Sequence, residues 1–142
     1  VIVLFQFPVA KLIGRLRLTT ALVAGSLLYA VGYGSAGLST GFWTLAASVF
    51  VVSCGELLVA PSTISLAANL APTAHRGRYI GVFGFFEMLG RCTGPLLGGV
   101  ALDVFATRPW MHWAIVAGIG CAAAVGFSLV RRRVTRENDR AG

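Results

Sequence analysis

Residues 42–70 read FWTLAASVFVVSCGELLVAPSTISLAANL, and this stretch decides the fold class. It carries a single charged side chain, Glu56, and it is longer than the roughly 20 apolar residues that a helix needs to cross a bilayer. Its apolar residues do not alternate with polar ones, as the strands of outer-membrane barrels require. An open sheet would leave backbone groups unsatisfied in lipid. The stretch therefore predicts a transmembrane helix and an all-α fold.

The composition of the whole chain agrees with a membrane protein. The 142 residues are 56% hydrophobic and 12% charged, with a mean hydropathy of +0.79. A soluble domain usually has about 45–50% apolar and about 25% charged residues. A disordered chain is poor in the apolar residues that abound here. The composition thus excludes both classes and predicts a polytopic membrane protein.

Further apolar stretches lie on both sides of residues 42–70. The predicted spans are the partial 1–13 and the complete 20–39, 42–70, 79–105 and 110–130. The chain starts without methionine, and its first span is too short to cross alone, so we expect a piece of a longer chain. The predicted architecture is a polytopic helix bundle over residues 1–130, with four complete spans and one partial N-terminal span. A basic cytoplasmic tail follows at 131–142.

The net charge of +7 is concentrated in loops and in the tail. The basic residues on alternate loops and in the tail are Lys11, Arg15, Arg17, Arg76, Arg78, Arg131, Arg132, Arg133, Arg136 and Arg140. Loops enriched in Lys and Arg face the cytoplasm, so these segments and the C-terminus are predicted to be cytoplasmic in a cell membrane. Clusters separated by long apolar stretches are not a nucleic-acid-binding face, and no nucleic-acid partner is expected.

Small residues predict where helices pack, because bilayer helices associate through close contact of small side chains. Gly25 and Gly32 share one face of the span 20–39. A second stripe runs along the last span at four-residue spacing, through Ala114, Gly118, Ala122 and Gly126. Both stripes are predicted to be helix–helix interfaces, and neither indicates a function.

The span 79–105 has a more specific pattern of glycines around one proline. The pattern consists of Gly81, Gly90, Gly94, Pro95, Gly98 and Gly99. Gly90, Gly94 and Gly98 fall on one helix face, where a neighbouring backbone can approach closely. Pro95 removes a backbone hydrogen bond and favours a bend. This spacing resembles the antiporter motif of the major facilitator superfamily, which occurs in the fifth helix of drug–proton antiporters and, in degenerate copies, in the eleventh.

Two other segments extend the resemblance over the whole chain. Residues 55–61 with 71–79 are similar to the tenth helix and following loop of such exporters, and residues 7–15 to the end of the eighth helix and its loop. In that loop the family often has Asp-Arg, whereas this chain has Gly14-Arg15. The resemblance implies helices eight to twelve of a twelve-helix transporter. The alternative register, helices two to six, gives the same orientation.

Three charged residues lie away from the ends of the predicted spans, and near the bilayer centre a charge costs at least about 2.5–3.5 kcal/mol. Glu56 lies near mid-membrane, and it is predicted either to carry protons or contact cationic substrate, or to form an interhelical hydrogen bond. Glu87 and Arg91 stand at i and i+4, in the sector of the glycine face that is expected to point into the bundle. They are predicted to pair with each other or to take part in coupling.

The resemblance implies a secondary active transporter that exports small hydrophobic or cationic molecules, driven by protons. Its expected partners are the bilayer, the small-molecule substrate and the missing N-terminal bundle of the same transporter. A non-transporting truncated fragment or membrane scaffold is the alternative. The three cysteines show no metal-binding spacing, and no nucleophile, metal-ligand or glycine-loop motif of an enzyme occurs. We therefore expect neither an enzyme nor a cofactor.

Overall fold

The computed structural model of the protein describes residues 17–135 and 138–139. This part of the chain contains four α-helices and no strand, so the all-α prediction is confirmed. The helices are α1 (Leu18–Ala36), α2 (Phe42–Leu70), α3 (Arg76–Val104) and α4 (Pro109–Arg133). The predicted partial span 1–13 and the loop residues Lys11 and Arg15 lie outside the described residues.

The helix limits follow the predicted spans, and α2 matches its prediction to the residue. Before α2, the Thr44 hydroxyl accepts a hydrogen bond from the Gly41 N–H at 3.2 Å and so supplies a side-chain cap. A short 3₁₀ turn, Thr73–His75, joins α2 to α3. Helices α3 and α4 include arginines at their ends, because a helix can continue beyond the apolar part that hydropathy marks.

Helices α1, α2 and α4 form one antiparallel cluster with α1 between the other two. At one end of this cluster, Gly37 after α1 lies against Trp113 near the start of α4. At the other end, a buried apolar group joins the start of α1 to the last turns of α2 and to the residues after α4. Its buried members are Leu18, Ala21, Leu22 and Leu66, and Val59, Phe127 and Val134 are among the partly buried residues that pack on it.

The predicted glycine face of the first complete span is the α1–α2 interface. A Cβ atom built on Gly25 would lie 2.5 Å from Cγ2 of Val59 and 3.0 Å from the carbonyl oxygen of Gly55. One built on Gly32 would lie 2.6 Å from Cγ2 of Val52. No real Cβ fits at such distances, so this close approach of the two backbones needs glycine.

The predicted small-residue stripe of the last span is not a helix–helix interface within the described residues. Gly118, Ala122 and Gly126 are exposed, and a Cβ on either glycine would meet nothing within 4 Å in the described chain. The face that packs on α1 passes instead through Gly120, whose added Cβ would lie 3.0 Å from the backbone nitrogen of Ala30. The regular four-residue spacing marked small residues. The face of α4 that contacts α1 also includes the bulky Trp113 and Phe127.

Helix α3 stands apart from this cluster. None of its residues, all of which the structure describes, is buried. A Cβ on Gly81, Gly90, Gly94 or Gly99 would meet no described atom within 4 Å, and one on Gly98 would reach only Cε1 of His112 at 4.0 Å. The expectation that this face points into a packed bundle is therefore not met by the described residues.

Three of the four helices are long and apolar enough to cross a membrane: Leu18–Ala36, Phe42–Leu70 and Trp110–Arg133. Helix α3 is as long as α2, but Glu87, Arg91 and its many glycines lower its hydropathy. The four predicted spans are thus confirmed as helices. Three of these helices qualify as membrane spans by length and composition.

Candidate functional site

Glu56 lies in the middle of α2, one residue after the buried Gly55. Gly55 faces α1, since a Cβ there would approach the Gly25 carbonyl oxygen at 2.9 Å. The 100° step to the next residue turns Glu56 away from this interface, and its side chain is exposed. Within the described chain, no salt bridge or hydrogen bond involves this carboxylate. The predicted interhelical hydrogen bond of Glu56 is therefore not formed in this part of the protein.

Glu87 and Arg91 pair with each other on α3, as their spacing predicts. Arg91 Nη2 and Nε donate hydrogen bonds to Glu87 Oε1 at 3.0 and 3.2 Å. The Arg91 side chain is 73% exposed and that of Glu87 is 41% exposed. Because both charges belong to one helix, the pair neutralises itself without fixing α3 to a neighbour.

A column of aromatic rings runs along the seam between α1 and α4. The ring centroids of Tyr29 and Tyr33 are 6.1 Å apart, and those of Tyr33 and Trp113 are 6.3 Å apart, both in stacked geometry. His112 meets Trp113 edge-on, with centroids 5.2 Å apart. The phenol of Tyr29 also lies within electrostatic range of both Glu56 and Arg91. The column therefore places one phenol near charged side chains of α2 and α3.

A cavity of about 430 Å³ lies between α3 and the part of this column formed by Tyr33, Trp113 and His112. Gly94, Leu97 and Gly98 line it from α3, and Tyr33 and Trp113 line it from the aromatic column. His112 also lines it and is 7% exposed, and its Nδ1 atom is buried without a hydrogen-bond partner in the described chain. The glycine face of α3 therefore borders an apolar, aromatic space.

These groups can bind and carry charge, but they do not form a recognisable catalytic centre. Aromatic faces attract cations and stack on flat apolar molecules. A lone carboxylate in a membrane helix can hold a proton or a cation. In the residues that the structure describes, no group of three or more His, Cys, Asp and Glu side chains is placed to hold a metal ion.

The predicted site residues thus fall into three places. Glu56 stands on α2, the Glu87–Arg91 pair stands on α3, and the exposed Arg76 and Arg78 lie in the first turn of α3. The glycine motif itself faces open space or the cavity. The sequence reasoning missed the aromatic column, although Tyr29 and Tyr33 stand at i and i+4 in a span with no other aromatic residue.

Comparison with known proteins assigns the chain to one family over its full length. Residues 1–142 match the family model described as Major Facilitator Superfamily. An uncharacterized MFS-type transporter of Mycobacterium tuberculosis, Rv1877, is 34% identical over 113 residues, which cover 80% of this chain and 16% of that protein. The multidrug resistance protein MdtH of Shigella sonnei is 27% identical over 136 residues, covering 92% of this chain and 34% of MdtH.

A third relative, the uncharacterized MFS-type transporter YqjV of Bacillus subtilis, is 27% identical over 120 residues, 84% of this chain and 29% of its own length. The chain therefore spans between about a sixth and a third of the length of these curated relatives. No solved structure matches the chain.

Proposed function

The chain belongs to the major facilitator superfamily, whose members are transmembrane transporters rather than enzymes, and we propose that it is part of the C-terminal bundle of a proton-coupled exporter. The observation that carries this proposal is Glu56. It is an unpaired carboxylate, within the described chain, halfway along an apolar membrane helix. A charged side chain inside the membrane is energetically unfavourable, and such residues commonly mark ion pathways and proton relays.

The proposed substrates are small hydrophobic or cationic molecules. Tyr29, Tyr33 and Trp113 offer stacked rings, and Glu56 lies within electrostatic range of the first of them. This combination suits a flat or positively charged molecule better than an anion. The similarity to a multidrug resistance protein supports the same substrate class.

The rest of the transporter is the proposed partner of α3. On its glycine face, a Cβ added to the glycines would meet at most one described atom, at 4.0 Å, and the relatives are several times longer than this chain. We propose that α3 crosses the membrane with this face against helices outside the chain, including the N-terminal bundle. In transporters built from repeated bundles, the bundles rock about a site near the bilayer midplane.

Replacing Glu56 tests the proposed coupling. Glu56→Gln keeps the side-chain size and removes the exchangeable charge, so we expect pH-gradient-driven export by the full-length protein in proteoliposomes to be largely lost. The membrane level and melting temperature should stay unchanged, because the carboxylate has no salt-bridge or hydrogen-bond partner among the described residues. Asp103→Asn is the matched control, since it makes the same chemical change at an exposed site after the glycine motif.

The two measurements separate the roles of Glu56. Lost export with normal stability supports the proton carrier. A drop in melting temperature would show instead that Glu56 fixes packing against a part of the protein outside the described residues. Normal pH-driven export by the Gln variant would eliminate Glu56 as a required proton carrier.

The proposed orientation places in the cytoplasm the end of the bundle that carries Arg76, Arg78 and the arginines at 131–133. Thr73 and Thr135 lie at that end, Thr107 lies at the opposite end, and all three are exposed. Single cysteines at these positions, in a protein without Cys54, Cys92 and Cys121, would be treated with an impermeant thiol reagent on intact cells. We expect labelling at 107 alone, and labelling at 135 but not at 107 would invert the orientation.

A further inference from the structure

Asp139, in the tail after α4, lies against the start of α1. The side chain of Asp139 is fully buried there. Its Oδ1 accepts a hydrogen bond from the Thr19 backbone N–H at 2.7 Å, and its Oδ2 accepts one from the Thr19 hydroxyl at 2.6 Å. Arg17 Nε lies 2.7 Å from the same Oδ2. The carboxylate is therefore paired with a cation and held by two hydrogen bonds.

This carboxylate caps the start of α1, where the helix has no capping side chain of its own. The first N–H groups of a helix have no partner within the helix, and an acceptor or negative charge there is stabilising. Arg17 occupies the cap position, but its side chain accepts no hydrogen bond from the N–H groups of α1. The first turn of α1 has no acidic residue. Asp139, far along the chain, supplies both the acceptor and the charge.

Contacts of the neighbouring residues join two more helix ends to the same place. The Leu18 N–H donates to the backbone oxygen of Asp139 at 2.9 Å. Near the end of α2, Asn69 Nδ2 donates to the backbone oxygen of Asn138 at 3.1 Å. Val134, directly after α4, packs on the buried group around Leu18. The start of α1 and the ends of α2 and α4 are thereby joined through the tail.

We propose that Val134, Asn138 and Asp139 form a clasp, the tail clasp, that fastens these three helix ends and opens or closes as a unit. A buried charge is strongly destabilising once its partner is removed. Partial engagement of Asp139 is therefore unfavourable, and the clasp is either docked with its ion pair or released into water. Because α3 contributes no described residue to these contacts, the clasp makes α1, α2 and α4 one unit at this end and leaves α3 free to move against it.

Amide hydrogen exchange on the purified full-length protein tests the clasp without reference to transport. In Asp139→Ala, we expect the amides of Leu18 and Thr19 to exchange roughly 3- to 30-fold faster, the range that corresponds to the loss of a helix N-cap. Asp103→Asn is the control, because it removes an exposed carboxylate from α3 and should leave both rates unchanged. Amides in the middle of α1, around Leu28, serve as the internal reference.

A second variant keeps the proposal testable if Asp139→Ala folds poorly. Removing residues 136–142 should accelerate exchange at Leu18 and Thr19 by the same factor, because it removes the same carboxylate and leaves no buried charge on the tail. Unchanged exchange in both variants would overturn the clasp. Faster exchange after truncation alone would overturn the role of Asp139. Since the readout is local to α1, failure of the proposed transport activity would leave this result unaffected.

Discussion

Helices α1 and α3 are both glycine-containing membrane-protein helices, yet they have opposite surroundings. Gly25 and Gly32 of α1 lie against α2 so closely that no Cβ would fit, and α4 covers a further side of α1. Gly90 and Gly94 of α3 face nothing within 4 Å in the described chain. The comparison teaches that glycine spacing predicts where a backbone can be approached. It does not predict which helix makes the approach.

The difference has an energetic consequence. Bilayer helices gain little from burying apolar side chains, so their association depends on close packing. For α1 that packing is extensive within the described residues, whereas for α3 it is almost absent. The α1 interface should therefore determine the stability of this chain, and the α3 face should matter only where the rest of the transporter is present.

The largest expected effect comes from filling the α1–α2 interface. In Gly25→Leu, even the first atom of the new side chain would overlap Val59 and the Gly55 carbonyl. Overpacking of this kind costs about 1–3 kcal/mol and occasionally more. We expect a clearly lower melting temperature in detergent and a lower yield of folded protein. A variant as stable as the parent would show that α1 and α2 are not packed at this distance.

A glycine-to-leucine substitution on α3 is expected to have the opposite effect on the melting temperature. The Cβ of Gly94→Leu meets no described atom within 4 Å, and leucine improves helix propensity by up to about 1 kcal/mol, so the melting temperature of this chain should stay the same or rise. In the full-length transporter we expect intact membrane insertion and lost export, because the leucine would displace a helix packed on that face. Full export activity by this variant would contradict the proposed close packing of α3 and would leave its glycines without a structural partner.

The sequence predicted the helices well because length and hydropathy are local properties. The limits of α2 match to the residue, and the ends of the other helices differ from the prediction by a few positions. Which face packs could be predicted only in part. Gly25 and Gly32 were identified, whereas the face of α4 was missed because Gly120 is not on the regular four-residue stripe.

The candidate site was harder to predict for a physical reason. The Glu87–Arg91 pair is set by helix geometry and was expected from spacing alone. The aromatic column needs the approach of Trp113 to Tyr33, and the tail clasp needs Asp139 to return to Thr19. Both contacts join residues far apart in sequence, and a single sequence carries no signal for such tertiary pairs.

A smaller effect is expected from a paired hydroxyl inside the α1–α2 interface. The buried Ser48 side chain donates to the Thr44 carbonyl at 3.0 Å and is 2.9 Å from the Ser35 hydroxyl across the interface. Hydrogen bonds between membrane helices contribute about 0.6 kcal/mol on average. We expect Ser48→Ala to lower the melting temperature by a small, measurable amount. Ser35→Ala should do the same, and the double variant should lose less than the sum, because both remove one shared bond.

The smallest effect is expected about four turns further along the same helix, at Ser62. Its side chain is fully buried, but its hydroxyl oxygen has no hydrogen-bond partner in the described chain. Burying an unpaired hydroxyl costs about 1–3 kcal/mol by comparison with protein variants, and alanine removes that cost while opening only a small space. We therefore expect Ser62→Ala to leave the melting temperature unchanged or to raise it, opposite in sign to Ser48→Ala. The two variants make the same chemical change on one helix, so thermal unfolding measured side by side isolates the hydrogen bond. A loss at Ser62 as large as that at Ser48 would mean that the Ser62 hydroxyl has a partner in the full-length protein, and the α1–α2 interface would then be incomplete in the same way as the face of α3.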